Sequence, residues 1–177
     1  WTEEYGTTPI RLGSTSTEVA HADNVVIAGD PVEIDRVSLR MDQDPPETET
    51  PAKFLSIDPP VYATDEIYLG DYWLFQYAYE AKKGESANVN FYLIDNPDAG
   101  ANEITIVIDL AIGGTPEGTS VTAKTDLIAL NMSALRARYE GSSTTNTKEL
   151  KITFKYYMKG RDQIVDSQVY RMTVSGD

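Results

Sequence analysis

The run Glu103–Ile112 alternates residue by residue. Ile104, Ile106, Ile108, Leu110 and Ile112 share one side; Thr105, Val107, Asp109 and Ala111 share the other. Only an extended strand sorts side chains this way, because successive residues point to opposite faces of a sheet. A helix would scatter the five aliphatics around its circumference. One face of this segment is therefore expected in a core and the other in water.

The same period recurs along most of the chain. Leu150, Ile152, Phe154, Tyr156 and Met158 share a phase. After the turn Lys159-Gly160-Arg161-Asp162, Ile164, Tyr170, Met172 and Val174 share another. Two alternating runs about a short Gly turn predict a β-hairpin. Trp73, Phe75, Tyr77 and Tyr79 form an aromatic stripe, broken at Lys82-Lys83-Gly84-Glu85, and Val89–Ile94 resumes the pattern; this predicts a second hairpin. Asn96-Pro97-Asp98-Ala99-Gly100 closes it with turn chemistry. Val19–Ile27 and Ile34–Met41 read as two earlier strands joined through Ala28-Gly29-Asp30-Pro31. Within Leu127–Tyr139, Ser133 is placed to cap a short helix over Ala134–Arg138.

Eight or nine short strands with at most one short helix predict an all-β, antiparallel β-sandwich of Ig-like, transthyretin-like or jelly-roll type. Residues 1–41 carry N-terminal strands, 42–51 (DQDPPETETP) an acidic, proline-rich loop or linker, and 52–177 the main sandwich. A single continuous domain over 1–177 fits equally. At 177 residues the chain can bury a core without covalent staples, and its lack of cysteine leaves no disulfide to help.

That lack also removes thiolate nucleophiles and cysteine-bound metals. One histidine, His21, cannot supply the usual zinc ligand set, and no G-x-S-x-G elbow, Walker loop or G-x-G-x-x-G follows a strand. His21 reads as a surface residue in a polar stretch. Nothing selects one pair among the 28 acidic side chains for glycoside hydrolysis. The chain is expected to have no catalytic residues and not to be an enzyme. The net charge of −13 repels phosphate backbones, so no nucleic-acid partner is expected. No run reaches the ~20 apolar residues of a membrane-spanning helix.

The candidate metal loop is Asp95–Glu103. Asp95, Asp98, Asn102 and Glu103 gather hard oxygen ligands around a glycine, the chemistry calcium selects, although Pro97 takes a ligand position of an EF-hand. An Asx-rich strand turn is the plainer account. In the aromatic stripe, the Trp73 phase is expected in the core and Tyr72 at the wet face, as a candidate ligand-binding ring. The Asp42, Asp44, Glu47 and Glu49 run reads as a solvated loop.

The segment Thr8-Pro9-Ile10-Arg11-Leu12-Gly13-Ser14, with Pro60-Val61-Tyr62 and Tyr77-Ala78-Tyr79, resembles bacterial fimbrillins, type V pilin-like surface proteins. The resemblance implies export, lipid anchoring of a precursor, and sandwich subunits polymerised by strand exchange. It also implies proteolysis after an N-terminal arginine, for which Arg11, Arg36 and Arg40 are the candidates. A start at Trp1 is expected either of a mature chain whose export signal has been removed or of a chain trimmed by other means. The expected role is therefore an extracellular or cell-surface structural, adhesive subunit that assembles with protein partners, itself or a surface component. Glu3–Ser16 and Gln168–Val174 are the candidate donor strands. A carbohydrate-binding module taking a glycan, and a viral capsid or decoration protein, are the alternatives.

Overall fold

A computed structural model describes residues 2–3, 25–26, 33–62, 69–94, 100, 102–143 and 145–176. In chain order the elements are β1 (Thr2–Glu3), β2 (Val25–Val26), β3 (Asp35–Ser38), β4 (Ser56–Ile57), β5 (Tyr72–Lys82), β6 (Glu85–Ile94), β7 (Glu103–Gly114), β8 (Val121–Asn131), α1 (Ser133–Tyr139), β9 (Thr147–Tyr156), β10 (Val165–Asp166) and β11 (Tyr170–Ser175). Strands β1 and β2 pair antiparallel as a small sheet.

The other strands form the two layers of a sandwich. One sheet has the order β3-β8-β5-β4; the other runs β10-β9-β7-β6, with β11 also on β9. The alternating residues meet between them. Trp73, Phe75, Tyr77 and Tyr79 of β5, Ile104, Ile106, Ile108 and Leu110 of β7, and Leu150, Ile152 and Phe154 of β9 are all buried. Phe154 lies at the centre, with ring centroids 5.1 Å from Phe75, 5.8 Å from Tyr170 and 6.0 Å from Trp73. Tyr62 stacks on Trp73 at 4.2 Å. These offset and edge-on contacts add to simple area burial.

The hairpin around Lys159–Gly160 is present: β10 and β11 both pair antiparallel with β9. Its register slips by one residue between Asp166↔Lys155 and Tyr170↔Ile152, so the returning strand carries a β-bulge. The Ser167 hydroxyl fills in there, accepting a bond from the Phe154 amide at 2.9 Å.

The second hairpin is absent. Strands β5 and β6 lie in different sheets, and β6 pairs instead with β7, from Glu85↔Gly114 to Ile94↔Thr105. Strand β5 pairs along its whole length with β8. The four strands thus make one long antiparallel ribbon folded over on itself at Lys83–Gly84 and residues 115–120. A hairpin and an arch bury the same alternate residues, so the alternation does not separate them. The glycines mark the fold-over. Gly84 and Gly114 have φ of +82° and +105°, and a Cβ on either would collide with backbone of the opposite connection: the Thr115 carbonyl for Gly84, the Gly84 carbonyl for Gly114.

Two pairings are parallel, β3 with β8 and β7 with β9. The chain visits the opposite sheet before returning beside β7, which reverses the direction expected of a neighbour. The helix runs over Ser133–Tyr139, with Met132 at its N-cap and no side-chain bond from Ser133; the Asn131 carboxamide accepts the Ser133 amide instead, at 2.9 Å. Leu127–Asn131 completes β8 rather than the helix. The Asp42–Pro51 loop joins Leu39 to Phe54, both in one core.

Candidate functional site

The distinctive feature is an open flank where β3 meets β8. On β5, the carbonyls of Gln76 and Ala78 accept bonds from Asp58 and Leu55, at 2.9 and 2.7 Å, so both residues direct their main chain toward β4. Their partners on β8 are Leu127 and Thr125. These residues therefore turn their own N–H and C=O groups the other way, to the far edge of β8. Strand β3 takes that edge only at Ile128–Asn131. Among the described residues no strand pairs with residues 121–127 there.

The chain then crosses between sheets. Leu39 is buried, and Arg40 bridges the edge of β6: its amide bonds the Phe91 carbonyl and its carbonyl accepts the Leu93 amide, both at 2.9 Å. Among the described residues, this side of 85–90 has no strand partner either. Among the described residues, two neighbouring edges thus lack a strand partner over these stretches.

The side chains along β8 match this exposure. Residues 121–127 are exposed or half-buried, while Ile128, Ala129 and Leu130 are buried. Lys124 reaches under the fold-over and donates from Nζ to the Lys82 and Glu85 carbonyls. The Asp126 carboxylate accepts the Leu127 amide at 2.8 Å, occupying one edge donor. Burial raises the pKa of the Tyr77 hydroxyl first, and the nearby Asp126, Tyr79 and Asp35 add to it.

Tyr72 lies beside this flank. It is half-buried on the outer face of its sheet, with the Arg36 guanidinium 5.5 Å from its ring centroid. A shallow cleft of about 570 Å³ opens there, lined by Asp35, Arg36, Leu69, Tyr72, Leu74 and Ala129 among others. On the other sheet, the acidic proline loop borders a cleft of about 560 Å³ that includes Glu47, Glu49, Asp109 and Tyr157. Burial raises the Asp109 pKa, partly opposed by Arg40. Arg40 itself is fixed by donating to Asn90 Oδ1 at 2.7 Å and Gln43 Oε1 at 3.1 Å.

Of the candidate calcium ligands, Asp95 and Asp98 lie outside the described residues, as does His21. The Glu103 carboxylate accepts the Gly100 amide at 3.3 Å, closing a turn, and the Asn102 carbonyl accepts the Lys151 amide at 2.8 Å. Among the described residues no three acidic, histidine or cysteine side chains gather as a metal would require. Of the two candidate donors, the C-terminal one is in place as β11 on β9; Glu3–Ser16 falls beyond Glu3 outside the described residues. Sequence reading missed the open edge. Its signal was the run VTAKTDL, in which Thr122, Lys124 and Asp126 are polar on the phase that Ile128 and Leu130 continue into the core.

No protein-family model and no curated protein matches this sequence. Solved structures share the fold. An uncharacterized protein from Parabacteroides merdae superposes with a TM-score of 0.53 at 9% identity, covering 81% of this chain and 68% of that one. A NigD-like immunity protein from Bacteroides caccae gives a TM-score of 0.51 at 11% identity, covering 80% of this chain and 65% of that one. This chain thus spans slightly less than two-thirds of the immunity protein's length.

Proposed function

We propose that this protein is a non-catalytic, extracellular structural or adhesive subunit that joins a protein partner by strand addition along the β8 edge. The observation that carries the reading is the main chain of Ala123 and Thr125, turned toward an edge that no described strand takes. An extended segment placed there satisfies those groups and gains the energy of a sheet ladder. The acidic surface, with a net charge of −13, keeps such a subunit soluble until it pairs.

Light scattering and electron micrographs of the purified protein, with adhesion to host-matrix and bacterial surfaces, test the reading. Assembly or adhesion that Ala123→Pro abolishes is expected, because proline removes an edge donor while leaving the β5 side intact. A protein that binds no surface, protein or polymer contradicts it. Glycan binding is the second reading, favoured by the half-buried Tyr72 ring beside its cleft. Glycan-array binding lost in Tyr72→Ala would support it.

A further inference from the structure

We infer that the strand added to β8 is β8 of a second copy, paired antiparallel across a two-fold axis at Thr125. This rests on the strand-addition reading above and names its partner. The argument starts from which groups face the edge. Odd-numbered residues of β8 direct N–H and C=O outward, so in an antiparallel self-pairing they must form the hydrogen-bonded pairs. That condition leaves a few registers, and charge separates them.

Lys124 and Asp126 sit two residues apart on the inner phase. They occupy non-hydrogen-bonded positions, where cross-strand side chains come closest. With Thr125 on the axis, Lys124 of each copy faces Asp126 of the other, so two opposite-charge pairs form. Ala123 then faces Leu127 on the outer phase. Moving the axis to residue 124 sets Lys124 against itself, and moving it to 126 sets Asp126 against itself; both repel.

The existing bonds fit this pairing. Lys124 spends two donors on the Lys82 and Glu85 carbonyls, and an ammonium group has a third. Asp126 holds the Leu127 amide; when that amide turns to the carbonyl of Ala123 in the second copy, the carboxylate is released to the second copy's Lys124. Inward-pointing charges on an edge strand keep unrelated strands away. Here the same two charges admit one partner, an antiparallel copy, which is specificity by exclusion.

The ladder is short, so the dimer is expected to be weak, on the order of micromolar or above. Sedimentation equilibrium on the whole chain tests it. Wild type is expected to dimerise, and Thr125→Pro to weaken the dimer about tenfold or more, since the ladder loses its central donors. Lys124→Asp and Asp126→Lys are each expected to be monomeric alone, and their equimolar mixture to form a heterodimer in which both opposite-charge pairs are restored, one of them reversed. Circular dichroism melts establish that each variant is folded. Should Lys124→Asp loosen the fold-over, Thr125→Pro and Asp126→Lys decide the matter by themselves. A wild type monomeric up to about 0.5 mM, or a dimer indifferent to Thr125→Pro, overturns the inference. Surface or partner binding that still depends on Ala123 would in that case leave the strand-addition reading standing.

Discussion

Gly84 and Gly114 meet where the ribbon folds over, each with positive φ and with no room for a Cβ against the other connection. Gly118, in the same region, has φ +94° but open space around it. Backbone strain alone costs a non-glycine residue roughly 1–2 kcal/mol in this region of φ. Gly118→Ala should therefore cost about 1 kcal/mol, and Gly84→Ala about 3 kcal/mol or more, since the collision adds to the strain. Urea unfolding of the two variants checks the difference. Asp109 offers a test by pH. Its carboxyl titrates above the ordinary Asp value because burial disfavours the anion, Arg40 opposing in part. The folded state thus holds this proton more tightly than the unfolded one. The associated stability is present at acid pH and is lost as pH rises through the folded-state value. Asp109→Asn is expected to melt higher than wild type at neutral pH, with the gap closing on acidification below the Asp range; a constant gap at every pH would remove burial of charge as the cause.

At the scale of elements, the aromatic centre and the bulge set the cohesion of the β9 layer. Phe154 is 1% exposed and touches Phe75, Trp73, Phe91 and Tyr170. Phe154→Ala is expected to destabilise by about 3–5 kcal/mol in chemical denaturation, through lost burial and a residual cavity. Ser167→Ala removes the hydroxyl that receives the Phe154 amide at the bulge, and should cost about 1 kcal/mol. These elements were legible from spacing alone: the β7 and β9 alternations, the Lys159–Gly160 hairpin and the buried Trp73 phase all read directly from period two. The pairing of strands was not. Tyr72–Lys82 and Glu85–Ile94 alternate as a hairpin's arms would, yet they face each other across the core. Only the crowding at Gly84 and Gly114, contributed by segments far apart in sequence, makes the arch. The same holds for the parallel pairs, whose neighbours are fixed by the path through the opposite sheet. The flank at β8 was legible only as a change from polar to apolar on one phase between Asp126 and Ile128, because main-chain direction at an edge depends on which partner the other side already has.

At the scale of the whole molecule, the folded ribbon closes most of the sandwich and leaves one flank incomplete among the described residues. Chain 33–40 covers the upper part of that flank, by β3 on one sheet and Arg40 on the other. The rest is the surface from which assembly is argued. Amide hydrogen exchange along β8, followed by NMR at increasing protein concentration, addresses it residue by residue. Amides of Thr122 and Lys124 face β5 and should be protected at every concentration. Those of Ala123 and Thr125 should exchange rapidly in dilute solution and become protected as the protein associates. Slow exchange of Ala123 and Thr125 already at the lowest concentration would mean the edge is filled within one molecule, and would contradict the account.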